Sequence, residues 1–123
     1  MTLRFANFKK YGFKLSKDLT YLTCGAAAGL AITLRALISS DSDKVLTFAP
    51  FFPEYKVFIE NADAKMKIVK PDMGNFQIDF KALKKAVTKK TKAIIINSPN
   101  NPSGVVLSEE TLKTLAELLR EKS

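Results

Sequence analysis

The residues of this chain that could do chemistry stand in three short stretches, each following a run with the composition of a strand. The last is Asn97-Ser98-Pro99-Asn100-Asn101-Pro102-Ser103-Gly104, directly after Ala93-Ile94-Ile95-Ile96. Its two prolines restrict the backbone, Gly104 permits a φ that other residues avoid, and the carboxamides of Asn97 and Asn101 arrive where a buried strand stops. Ligands of open α/β sheets bind at that end of the strands. An ordinary Asn/Pro turn would use the same residue types. The first stretch is Leu19-Thr20-Tyr21-Leu22-Thr23-Cys24, running into Gly25-Ala26-Ala27-Ala28-Gly29-Leu30 and an apolar helical pattern. A helix N-terminus offers unpaired N–H groups and the positive end of a dipole, and Gly25, Ala26 and Ala27 leave room for a phosphate to approach them. Close packing of small residues on a sheet is the alternative. The spacing is neither the Gly-x-Gly-x-x-Gly fingerprint nor a Walker loop. The middle stretch, Ala49-Pro50-Phe51-Phe52-Pro53-Glu54-Tyr55, follows Lys44-Val45-Leu46-Thr47-Phe48. It sets rings at a strand's carboxyl end, where an aromatic face could stack on a planar heterocycle or simply fill core.

Taken in this order, the three stretches resemble the cofactor-binding segments of the fold type I pyridoxal-phosphate aminotransferases, the class I/II, aspartate aminotransferase-like enzymes. The octet is similar to their Asn-Pro-Ser/Thr-Gly signature, in the subgroup with a second asparagine four residues earlier. The resemblance implies that Asn101 donates to the phenolic oxygen of the cofactor ring and that Asn97 lies beside the substrate carboxylate. It likewise implies that Gly25, Ala26 and Ala27 bind the cofactor phosphate through backbone amides, and that Phe52, ahead of Phe51, stacks on the ring. The activity implied is transfer of an amino group from an amino acid to a 2-oxo acid with pyridoxal 5′-phosphate, with aspartate ahead of aromatic or histidinol-phosphate substrates. A homodimer of the full-length protein and a cytoplasmic location are implied with it.

The resemblance runs from about Leu3 through the helix after Gly104, so residues 1–123 correspond to a partial large, cofactor-binding domain truncated at both ends, without the small domain. The Schiff-base lysine, the aspartate on the pyridine nitrogen and the substrate-binding arginine have no counterpart to place here. No catalytic residue is assigned. The isolated chain is expected to lack transaminase activity, and Lys84, Lys85, Lys89, Lys90 and Lys92 are read as solvated.

Composition sets limits on other readings. The chain has 20 Lys and Arg against 12 Asp and Glu, a formal charge of +8, which raises nucleic-acid binding as a rival. The cations are dispersed among acids with no recognition-helix motif, so solvated faces account for them better. A noncovalent phosphate- or nucleotide-binding α/β module is the other alternative. The chain has no histidine, which excludes His-based triads and the usual zinc sites. Its single cysteine, Cys24, has no internal disulfide partner and is expected to be buried in a strand. No signal-like amino terminus or membrane-length apolar run is present, and Arg35 interrupts the longest candidate.

The elements that must position these residues follow from periodicity. Leu3, Phe5, Phe8 and Tyr11 suggest the end of an amphipathic helix stopped by Gly12. Strands are expected at 19–24, 44–48, 65–69 and 93–96, with the period-two alternation of the third marking a sheet edge. Helices are expected at 29–38, apolar nearly all round and covered by neighbours, and at 55–61. Asp79 should cap a third, with Phe80, Leu83 and Val87 inward, and Ser108 a fourth, with Leu112, Leu115 and Leu119 sharing a face. Alternating strands and helices predict a three-layer α/β/α fold with a mainly parallel sheet in one domain. The resemblance places the second strand between the third and fourth and the first at the far side of the sheet. Four strands cannot bridge that gap, so strand one is expected to move or copies of the chain to pair at an edge.

Overall fold

The structure, a computed structural model, describes Asp18 and residues 20–122. Three runs rich in β-branched and aliphatic residues become five-residue strands: β1 (Lys44–Phe48), β2 (Lys65–Val69) and β3 (Thr91–Ile95). They form a parallel sheet in the order β2-β1-β3, with Leu46 opposite Lys67 on one side and Ile94 on the other. Parallel neighbours need crossovers. α2 (Glu54–Asn61) and α3 (Phe80–Ala86) supply them, while α1 (Ala26–Leu37) precedes β1 and α4 (Glu109–Lys122) follows β3.

Because successive strand residues point to opposite faces, Val45 and Leu46, both 0% exposed, seed two separate cores. Val45 meets Leu34, Tyr55 and Ile59 under α1 and α2, and Leu46 meets Val69, Leu83, Leu115 and Leu118 under α3 and α4. The fold is therefore three-layer α/β/α, with β1 between its two partners as expected. At the amino end of β1, the buried Asp43 carboxylate accepts from the Ser39 N–H (3.0 Å), the Ser39 hydroxyl (3.1 Å) and the Ser40 N–H (3.1 Å). The Ser39 N–H foremost, helped by Lys92, holds its pKa below the usual aspartate value. Asp79 caps α3 as expected, accepting from the Ala82 N–H at 2.9 Å. β2 is an edge strand, with Lys65 and Lys67 exposed.

Four expectations need correction. Residues 20–24 form no strand, and Cys24 is exposed rather than buried. The sheet described here offers this segment no neighbour, and β propensity is realised only against one. α1 is covered on one side only: Leu34 is buried and Leu30 packs with it, whereas Ile32 is 62% exposed. A three-stranded sheet with α2 beside it has surface for one stripe of this helix. α4 buries Thr111, Leu115 and Leu118 in place of Leu112, Leu115 and Leu119. The Thr111 hydroxyl bonds Gln77, which satisfies a buried polar group and turns the helix toward it. The expected amino-terminal helix, with Leu3, Phe5, Phe8, Tyr11 and Gly12, lies outside the described residues. No described helix is long and apolar enough to cross a membrane.

Candidate functional site

The carboxyl ends of β1 and β3 open into one cleft. β1 and the turn after it contribute Thr47, Phe48, Pro50 and Phe51, and α2 adds Tyr55. β3 and its loop contribute Ile95, Asn97, Asn100 and Ser103, while a strap formed by Phe76, Gln77 and Ile78 closes another side. The walls are apolar and aromatic, with a few carboxamides placed among them, the pattern of a small-molecule site at the carboxyl rim of an open sheet.

Asn100 builds the loop. Its backbone N–H donates to the Val105 carbonyl (2.8 Å) and its carbonyl accepts from the Gly104 N–H (2.7 Å), closing the turn around Gly104, whose φ is +73°. Its Nδ2 donates to the Ser103 hydroxyl (2.7 Å) and, across fifty residues of sequence, to the Pro50 carbonyl (3.0 Å). The asparagine loop and the aromatic loop are thereby tied together. Peptide bonds 49–50, 98–99 and 101–102, each preceding a proline, are cis. The Ser98 hydroxyl accepts from the Leu107 N–H (2.9 Å) and holds the returning limb.

Among the described residues no partner engages the side chain of Asn97 or Asn101. Asn97 is half-buried and lines the cleft; Asn101 is exposed in the turn beside it and does not. Phe52 also stays out of the cleft lining. It packs on the core beneath α1 and α2 and meets Tyr55 edge-to-face, with ring centroids 5.7 Å apart, while Phe51 lines the cleft. Gly25, Ala26 and Ala27 are exposed at the start of α1 and lie outside the cleft lining. Leu30, one helical turn later, shares a core with Phe51 and Phe52, so all three segments belong to one packed unit.

Gly25 has φ +93° and ψ 171°, a conformation essentially confined to glycine. A Cβ built on it would meet nothing within 4 Å, so the approach is open. No side chain caps the helix, and its first turn carries no acidic residue. The Thr23 hydroxyl donates to the Gly25 carbonyl (2.9 Å), and among the described residues no side chain accepts from the first-turn N–H groups. These features suit an anion.

Sequence reasoning singled out Asn97 and Asn101 but missed Asn100 and Gln77. Both act through hydrogen bonds to distant segments. A local signal existed only for Asn100, which precedes Asn101 in a turn whose closure needs a side chain to satisfy it.

A family profile described as aminotransferase class I and II matches residues 2–123. The chain is 41% identical over 111 residues to a probable aspartate aminotransferase of Methanocaldococcus jannaschii, an alignment covering 90% of this chain and 29% of that protein. It is 36% identical over 119 residues to a probable kynurenine–oxoglutarate transaminase of Saccharomyces cerevisiae, covering 88% and 27%. Among solved structures, an amino transferase of Eubacterium rectale superposes with a TM-score of 0.91 at 50% identity, covering 94% of this chain and 29% of that one. The chain thus spans less than a third of the length of the relatives it matches.

Proposed function

The chain belongs to the class I and II aminotransferase family, and from that premise we propose that its described residues form one side of a pyridoxal-phosphate site in an enzyme that moves an amino group between an amino acid and a 2-oxo acid. The family uses this cofactor. The observation that carries the reading is the division of labour among the three asparagines of the loop. Asn100 is engaged in holding the backbone, while Asn97 and Asn101, the two that the resemblance assigns to ligands, are left unengaged.

In this reading Gly25, Ala26 and Ala27 hold the phosphate through first-turn N–H groups, Asn101 orients the ring by donating to its phenolic oxygen, and Asn97 stands by the substrate carboxylate. Phe52 is proposed as the ring beneath the cofactor, with Phe51 the alternative that already lines the cleft. When bound, pyridoxal phosphate supplies the electron sink that allows the α-proton of an amino acid to leave. The chain's own residues bind and orient. None of the described lysines lines the cleft, and Lys44, Lys65 and Lys92 stand at the amino ends of their strands, roughly 10–13 Å along the sheet from the carboxyl rim. We therefore propose that the 123 residues alone bind cofactor without turnover. Aspartate, named for the Methanocaldococcus jannaschii relative, is the amino donor we propose for the enzyme, and a homodimer in the cytoplasm its working form.

The test is titration of the purified chain with pyridoxal phosphate, followed by quenching of tyrosine emission and by the cofactor's absorption band. Saturable binding should weaken at least about tenfold in Asn101→Ala and Phe52→Ala, the loss expected for a charge-assisted hydrogen bond or a stacked ring. Binding that both variants leave unchanged, or that inorganic phosphate and nucleotides displace equally well, would favour a general phosphate-binding module. Retention on DNA that is lost with salt would favour the basic rival.

A further inference from the structure

The side chain of Gln77 joins three parts of the molecule at the edge of the cleft. Its Nε2 donates to the Val106 carbonyl (3.0 Å), on the limb leading out of the asparagine loop. Its Oε1 accepts from the Thr111 hydroxyl (3.1 Å) and, at longer range, from the Ser108 N–H (3.4 Å) at the start of α4. The partners dictate which way the amide faces, because a carbonyl can only accept and a backbone N–H can only donate. Thr111 is 8% exposed, and its hydroxyl completes a chain: it donates to Gln77 and accepts from the Ser108 hydroxyl (2.9 Å), while Ser108 Oγ accepts from the Thr111 N–H (3.0 Å).

Gln77 itself is firmly placed. Its N–H donates to the Asn75 side chain (2.9 Å), its carbonyl accepts from the Asp72 N–H (2.9 Å), and the neighbouring Ile78 bridges to Pro71. Phe76, just before it, holds φ +57°. A side chain carried on so fixed a strap can set the position of what it bonds.

We propose that Gln77 is a positioning residue for the asparagine loop: its nitrogen fixes the limb that sets where Asn97 and Asn101 stand, and its oxygen anchors α4. This rests on the cofactor reading given above. The two ends of the amide can be separated chemically. Gln77→Glu keeps oxygens for Thr111 and Ser108 and puts a negative charge at a helix start, where the dipole favours it, but it has no donor for Val106. Gln77→Ala removes both ends.

Three readouts on the full 123-residue chain decide it: the urea unfolding midpoint, amide hydrogen exchange in residues 97–106, and affinity for pyridoxal phosphate. Gln77→Glu should unfold closer to the wild-type midpoint than Gln77→Ala, the charge at the helix start offsetting the two acceptors that then face each other at Val106, yet exchange the loop amides, Gly104 among them, about tenfold faster, the effect of losing one hydrogen bond. Its cofactor affinity should fall about fivefold or more. Gln77→Ala should lose stability as well, and if it does not fold, Gln77→Glu against wild type carries the comparison. Wild-type loop exchange in Gln77→Glu would overturn the inference, as would loop exchange that merely follows global stability in both variants. If the wild-type chain binds no pyridoxal phosphate, the cofactor reading falls, while loop exchange still decides whether Gln77 positions the loop.

Discussion

Replacing Asn100 tests whether the two loops are held as a unit. The Nδ2 bond to the Pro50 carbonyl is half-buried and spans fifty residues; the bond to Ser103 is exposed and local. A half-buried hydrogen bond contributes about 1 kcal/mol net and an exposed one a few tenths, so Asn100→Ala should destabilise the chain by about 1–2 kcal/mol. With a urea slope near 1.5 kcal/mol per molar, the midpoint should fall by roughly 1 M. Asn100→Asp separates the two bonds. The Ser103 hydroxyl can turn to donate to the new carboxylate, but nothing remains to donate to Pro50, and two acceptors would face each other where a 3.0 Å bond stood. Asn100→Asp should therefore be at least as destabilised as Asn100→Ala, with faster amide exchange around Ala49 to Pro53 as well as in the asparagine loop. An Asn100→Ala stability within about 0.5 kcal/mol of wild type, or an Asp variant as stable as wild type, would refute the claim that this side chain ties the loops.

Gly25→Ala places a Cβ in open space but at φ +93°, and should cost about 1–3 kcal/mol in a thermal melt through backbone strain alone; an unchanged melting temperature would contradict the conformation described. Leu83 is 0% exposed beneath the sheet, so Leu83→Ala should lose about 2–5 kcal/mol in urea unfolding, whereas Val57→Ala, on the exposed side of α2, should stay within about 0.5 kcal/mol. The lowered pKa of Asp43 means that the unfolded chain takes up its proton first as pH falls. Stability from this carboxylate should therefore be complete above the ordinary aspartate value and decline as pH drops from there to the lowered folded value. Asp43→Asn should flatten that part of a stability–pH curve measured by denaturant unfolding.

The strands at 44–48 and 65–69 were legible as compact apolar runs separated by a helical pattern, and the parallel arrangement follows from that alternation; the run read as 93–96 forms its strand at 91–95, and the order, which apolar runs alone do not carry, came from the family resemblance. Asp79 and Ser108 were legible because a cap acts within three residues of itself. The segment at 20–24 reads as a strand in isolation, since Thr-Tyr-Leu-Thr has the right propensity, but strand formation depends on a partner that the segment does not contain. The stripe of α4 was misjudged by one position at each end because apolar periodicity cannot register a threonine that is buried through a glutamine thirty-four residues away. At the site, Gly104 could be read from the unusual φ it permits, and it holds +73°; Gly25 was read only from the room it leaves at a helix start. Which asparagine holds the loop could not be read: Asn97, Asn100 and Asn101 carry the same group, and only the fold brings Pro50 to one of them.

The two rims of the sheet differ in kind. β2 presents exposed Lys65 and Lys67, ammonium groups that repel a second copy approaching edge-on, while β3 carries its lysine near a bulged amino end and then runs Ala93-Ile94-Ile95 with its outer backbone groups unpaired among the described strands. Of the two rims, β3 is thus the less guarded against pairing with an added strand.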